Sequence, residues 1–253
     1  MHSPVDAARG PIGHDDAMDM GDHAETGWAG EVQHLMVHGR DREAAELAAR
    51  NLRDDQTATM TPTQGDDTMG PLEQLDELEP ILGKVASGIT PPDLEAPTPC
   101  ENFAVRGVLG HMIGGATQFA AAFRGEASPD VPANVADGPD VVARAADALG
   151  GLMGAIRSPG ALDRTVETPF GPMPGEAFAR LVVLDGLVHG WDLATATGQA
   201  YEPSDSLVAA VDAFARQAIA PAMRDGDTFA DVVEPRSGAT PIERLAAFTG
   251  RSI

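Results

Sequence analysis

From residue 71 onward, apolar positions at helical spacing alternate with short breaks rich in Gly and Pro. Leu72, Leu75, Leu78, Ile81, Leu82 and Val85 step by three and four residues. This predicts a first helix from Pro71 to a stop at Gly88 and the Pro91-Pro92 pair. A second helix is expected over about 104–124, carried by Val108, Leu109, Met112, Ile113 and Phe119. Gly107, Gly110, Gly114 and Gly115 weaken it intrinsically, so their expected use is close approach of a neighbouring helix or a ligand. After a loop rich in Pro and Asp at 125–138, a third helix is expected over about 139–157, burying Val141, Val142, Ala145, Leu149, Leu152 and Ile156. Residues 160–175 read as a brief strand pair or a loop across the bundle mouth. A fourth helix follows over about 175–197 and a fifth over about 204–220, and Pro241 to Phe248 form a last short amphipathic one. Long helices with no long strand imply an all-α chain, most simply a four-helix bundle with additional short C-terminal helices.

Residues 1–70 break this pattern. They hold His2, His14, His23, His34 and His38, and apolar periodicity is weak outside 40–53, where Arg40 to Arg50 suit a short helix. Such a stretch buries too little apolar area to offset its ordering entropy. The expected organisation is therefore a mostly disordered acidic extension over 1–70 and a helical domain over 71–253. His14, Asp15, Asp16, Met18, Met20 and His23 form a candidate soft-metal cluster, but the composition favours a solvated acidic tail. Met69-Gly70-Pro71 reads as a fresh start of structure and a candidate initiation site.

Composition narrows the function classes. The chain has 253 residues with 17 Lys+Arg against 39 Asp+Glu, a net charge of −22. That surface repels phosphate backbones and anionic membranes, so neither nucleic acid nor membrane is an expected partner. The single cysteine, Cys100, excludes an intramolecular disulfide framework and a Cys-based zinc cluster. No apolar run reaches a membrane span, and the N-terminus lacks the charge and apolar regions of a signal peptide, so a cytoplasmic location is expected.

Past residue 70 only two histidines remain, His111 in the second expected helix and His189 in the fourth. Asp185 precedes His189 by four residues, so the two share a face, one turn apart, with Leu181, Val182 and Val188. A carboxylate and an imidazole aimed into an apolar core need satisfying partners. A mutual hydrogen bond, with Asp185 orienting His189, is one solution. A divalent metal is the other. Facing helices of a bundle can bring His111, Asp185 and His189 together, and two imidazoles with one carboxylate leave positions open for water or substrate. This set suits Zn, Fe(II), Ni or Mn.

Around these three, Arg106 is a candidate for holding an anionic group of a cofactor or substrate, or else pairs with Glu101. Trp191 is a candidate wall of the cofactor site, or else an interface residue. Asp192 is either a support for His189 or a surface charge. Cys100 precedes the second helix, whose N-terminus would lower its pKa, but with no histidine in sequence reach a structural role is favoured.

The run Ala96 to Met112, with Thr98-Pro99-Cys100 and Val105-Arg106 ahead of His111, resembles the opening motif of the actinobacterial DinB-like metal-binding proteins. These are related to the N-terminal domain of mycothiol-dependent maleylpyruvate isomerase. The run Leu184 to Gln199, containing His189-Gly190-Trp191-Asp192-Leu193-Ala194, resembles the second motif of the same family. Pro241 to Gly250 is similar to its C-terminal helix. The likeness spans about 71–253.

The resemblance implies a DinB-like four-helix bundle holding a divalent metal, zinc as the first expectation, through His111, Asp185 and His189. It also implies a thiol cofactor, mycothiol, and a transferase or isomerase acting on a small electrophile, as a monomer or homodimer. The sequence itself does not fix the oligomeric state, although exposed apolar faces on the fifth helix could support a dimer. A non-catalytic metal-binding or stress-response bundle and a metal-dependent hydrolase are the alternatives. Three positions depart from the family pattern: Asp185 stands where the isomerase has Glu, Gly107 where Asp is usual, and Phe103 where Trp is common.

Overall fold

The first expected helix forms as α1, Pro71–Gly88, in a computed structural model that describes residues 69–168, 171–219, 221–224 and 229–253. The expectations for residues 1–68, including the disordered tail and the His/Met cluster, lie outside the described residues. The Gly70 amide donates to the Glu73 carboxylate at 2.8 Å, and Pro71 takes the first helical position, where its missing N–H costs nothing. Leu75, Leu78, Leu82 and Val85 form the buried stripe of α1, whereas Leu72, expected in that stripe, is exposed.

The second and third helices are α2, Val105–Arg124, and α3, Val141–Ile156, and they pack along each other. Two of the glycines of α2 are used differently from expectation. A Cβ on Gly110 would lie 2.9 Å from the Ala136 methyl, and one on Gly114 would meet Val131. These two positions receive the 125–138 loop.

The strand pair forms as β1 (Thr165–Thr168) and β2 (Gly171–Pro174), antiparallel with Thr165 opposite Pro174 and Thr168 opposite Gly171. The hairpin delivers the chain directly into α4, Gly175–Ala196. At that junction a Cβ on Gly175 would lie 2.1 Å from the Ala161 carbonyl oxygen, so only glycine fits.

Helix α4 is the central element. It contacts α1 and α2 within the bundle, and also α5 (Asp205–Ala218) and α6 (Pro241–Phe248) outside it. Contacts between α1 and α3 and between α2 and α4 close the four-helix ring. Residues 186–194 of α4 are all buried, as expected for a helix surrounded on every side. Phe178 packs edge-on against Phe119 at 4.8 Å and stacks on Phe123 at 5.2 Å. Each such pair contributes about 0.5–1.5 kcal/mol beyond its area burial.

Beyond the bundle, the apolar residues of α5 (Leu207, Val208, Val211 and Ala215) are buried, and the helix packs on α4 and α6. The face expected to support a dimer is therefore covered within the chain. Helix α6 opens on a capping box. Thr240 donates its amide to Glu243 at 2.6 Å, and the Glu243 amide donates back to the Thr240 hydroxyl at 3.3 Å. Among the described residues, no helix is long and apolar enough to cross a membrane.

Candidate metal centre

Three local structures set the site. The first is the loop ahead of α2. The Thr98 hydroxyl donates to the Phe103 carbonyl at 2.7 Å, the Phe103 amide donates to the Cys100 carbonyl at 2.9 Å, and the Val105 amide reaches back to Ala96 at 3.0 Å. This staple places Cys100, Glu101, Asn102 and Phe103 on the rim of a cavity of about 480 Å³. The second is the middle of α2, which projects His111 toward α4. The third is the stripe Asp185–His189–Asp192 along α4, whose i+4 and i+3 spacing aligns the side chains.

His111 Nε2 lies 3.3 Å from Asp185 Oδ1, and His189 Nε2 lies 3.6 Å from the same oxygen. The two imidazole centroids are 4.8 Å apart, and one donor atom from each of the three residues falls within 4.8 Å of the others. Tetrahedral bonds of about 2.0–2.1 Å would separate neighbouring ligand atoms by about 3.4 Å, close to both imidazole–carboxylate separations. Behind His189, Nδ1 lies 2.9 Å from Asp192 Oδ2, and Asp192 is fully buried. A carboxylate on the far nitrogen fixes the tautomer that leaves the Nε2 lone pair facing the site, as metal-ligating histidines require. The donor set and its orientation therefore fit a divalent ion.

The pair was expected to face a sealed apolar interior. His189 is buried, but it lines the cavity, and the side chains of Asp185 and His111, which open onto the same cavity, are 43% and 39% exposed. The cavity walls still desolvate Asp185 and push its carboxyl up. The charge of His189 and the hydrogen bond and charge of His111 outweigh this and bring it to about 2. His111 is raised in turn, first by its hydrogen bond to Asp185, with burial opposing. The Cys100 thiol is not lowered by the helix terminus. Burial pushes its pKa up, and the Asp192 and Asp185 charges add to this against an opposing Arg251. The thiol sits several residues ahead of Val105, outside the first turn where a helix terminus acts.

Arg106 and Trp191, the expected cofactor-binding residues, are not among those lining the cavity. Arg106 donates to Glu95 at 2.8 Å and to the Ala136 carbonyl at 3.0 Å, tying α2 to the loop before α3, and its carboxylate partner is Glu95 instead of Glu101. Trp191 is buried in the hydrophobic core. Asp192 proves to be the support for His189 and not a surface charge. Sequence reasoning missed Arg251, which lines the cavity and donates through Nη2 to Asp192 Oδ2 at 3.2 Å. It lies beyond the last helical pattern, where periodicity carries no signal. The role of Phe103, whose ring lies 5.6 Å from His111 and 6.3 Å from His189, was also missed. The remaining walls are largely apolar and include Phe119, Phe178, Leu181, Val182 and Met223.

Comparison with known proteins identifies the family of the segment that carries these residues. The family model described as the mycothiol maleylpyruvate isomerase N-terminal domain matches residues 75–194, which contain His111, Asp185, His189 and Asp192. Two uncharacterized proteins of Mycobacterium tuberculosis, from two strains, are each 32% identical over 186 residues, covering 73% of this chain and 100% of the relative. No solved structure gives a significant match.

Proposed function

Because the chain belongs to the mycothiol maleylpyruvate isomerase N-terminal domain family, we propose that it is a thiol-dependent metalloenzyme, a transferase or isomerase of a small electrophile. In this reading His111, Asp185 and His189 hold a divalent ion, with zinc the first candidate and mycothiol the thiol. The carrying observation is that His189 is pinned by Asp192 on one nitrogen while the other faces Asp185 and His111 at the wall of an open cavity. A divalent ion held there would lower the pKa of a bound thiol, making it a thiolate at neutral pH.

The chain's own residues supply the rest. Asp192 orients His189, and Phe103 packs against both imidazoles and limits their rotation. Phe119, Phe178, Leu181 and Val182 offer an apolar surface for the body of an electrophile. Glu101 lines the same cavity, and the guanidinium there, Arg251, is already engaged by Asp192, so a divalent ion would be the main positive charge available to a substrate.

The test has two stages. Metal analysis of the purified protein should find about one divalent ion per chain, lost in His111→Ala. Metal retained by that variant would remove the three-ligand centre. The loaded protein should then consume mycothiol with members of an electrophile panel. A metal-loaded protein that is silent with every thiol would instead be a non-catalytic binder.

A further inference from the structure

We infer that Arg251 is a positioning residue for the metal centre: it clamps Asp192 and, through it, the imidazole of His189. The inference rests on the metal reading above, and Arg251 lies beyond the family segment matched at 75–194. Its guanidinium approaches one oxygen, Asp192 Oδ2, with Nη2 at 3.2 Å and Nε at 3.4 Å. The same oxygen holds His189 Nδ1 at 2.9 Å. The other oxygen, Oδ1, is buried and has no hydrogen-bond partner among the described residues. Among the described residues, the polar contacts that locate Asp192 come from His189 and Arg251. Without Arg251 the carboxylate would keep only its hydrogen bond to His189, and Phe103 packing alone would remain to limit how far the two turn together.

The turn that delivers Arg251 is built for this placement. The Thr249 hydroxyl donates to the Ala246 carbonyl at 2.9 Å, and the Arg251 amide donates to the same carbonyl at 3.0 Å. Between them Gly250 has φ +91°, and a Cβ there would lie 2.6 Å from the Ala230 methyl. Both constraints require glycine. Arg251 Nη1 then donates to the Thr249 carbonyl at 3.2 Å, folding the guanidinium back over its own turn. The side chains of Arg251 and Asp192 are 9% and 0% exposed, so the clamp works in a low-dielectric setting where an ion pair is strong and directional. The C-terminal turn, far in sequence from every ligand, thereby decides whether His189 presents Nε2 to the site.

The experiment compares full-length wild type with Arg251→Gln, Arg251→Lys and the charge-balanced Arg251→Gln/Asp192→Asn. Each is stripped with chelator and titrated with Co²⁺. Visible d–d absorption reports the coordination geometry, competition with a chromogenic chelator reports affinity, and circular dichroism reports the fold. Arg251→Gln is expected to bind about 10- to 100-fold more weakly, with an altered d–d band. Arg251→Lys should recover part of the loss, since a cation is restored without the fork. The double variant leaves no unpaired buried charge, so it should keep the fold yet stay weak. A wild-type affinity and spectrum in both Gln-bearing variants would overturn the inference, as would no recovery at all with Lys. A wild-type protein that takes up no Co²⁺ would overturn the metal reading itself.

Discussion

Asp185 and Asp192 lie two turns apart on one helix, flank the same histidine, and live in opposite surroundings. Asp185 opens onto the cavity with 43% of its side chain exposed, and its oxygen faces two imidazoles. Asp192 is sealed at 0% exposure and bonded to His189 and Arg251. The open carboxylate can exchange partners, which is what a ligand must do. The sealed one cannot, which is what an orienting group must do. One residue type thus stands as candidate ligand at one end of the stripe and as support for His189 at the other, and environment separates the two.

The sharpest way to break this contrast is to truncate each carboxylate in turn. Asp192→Ala strands the buried Arg251 guanidinium and should cost about 3–5 kcal/mol of stability in urea melts under chelator. Asp185→Ala removes a cavity-facing pair and should cost less than about 1 kcal/mol under the same conditions, yet abolish stoichiometric metal binding. Equal costs would show that the two surroundings do not differ in the way described.

Metal removal should produce the next largest effect. With free ion at about 100 times its dissociation constant, the loaded wild-type protein gains about 2.7 kcal/mol. For a domain of this size that is a fall of about 5–10 °C in melting temperature on adding chelator. Asp185→Ala should melt at the same temperature with or without chelator.

A smaller effect follows from pH. In the metal-free protein His111 is raised, so its contribution is fully present below the ordinary imidazole value of about 6.5 and is lost as pH rises through the raised value. Asp185 is lowered, so its contribution is present above the ordinary carboxylate value and is lost as pH falls toward about 2. The open pair therefore stabilises the metal-free protein most between about pH 4 and 6.5, by a fraction of a kcal/mol after solvent screening. Metal binding should run the other way, weakening as protons compete for His111. Denaturation curves from pH 4 to 9, with chelator and with metal, should therefore move in opposite directions above pH 6.5. If both rise together, His111 is not the shared site of proton and metal.

Much of the bundle was legible because helical periodicity is a local property. The buried stripe of α1, the start of α4 at Gly175 and the short α6 all follow from apolar spacing and from Gly and Pro breaks. Leu72 was misplaced because a residue in the first turn can satisfy the period and still project past the end of its neighbours. That the 125–138 loop approaches Gly110 and Gly114 was not legible, because missing volume shows that something comes close, but not what. Of the site, the three candidate ligands were legible from residue type, from i+4 spacing, and from there being only two histidines past residue 70. Arg106 and Trp191 were plausible by sequence proximity. One is held by Glu95 and Ala136 and the other lies in the core.

By itself the sequence determined the helices, the alignment of Asp185, His189 and Asp192 along one face, and the chemistry available there. It could not tell the two aspartates apart. Seven residues bring an α-helix back to within about 20° of the same direction, so both carboxylates look alike to any local pattern. Only the tertiary structure decided which was open and which was sealed. That depended on His111 reaching Asp185 across 74 residues of chain and on Arg251 reaching Asp192 across 59.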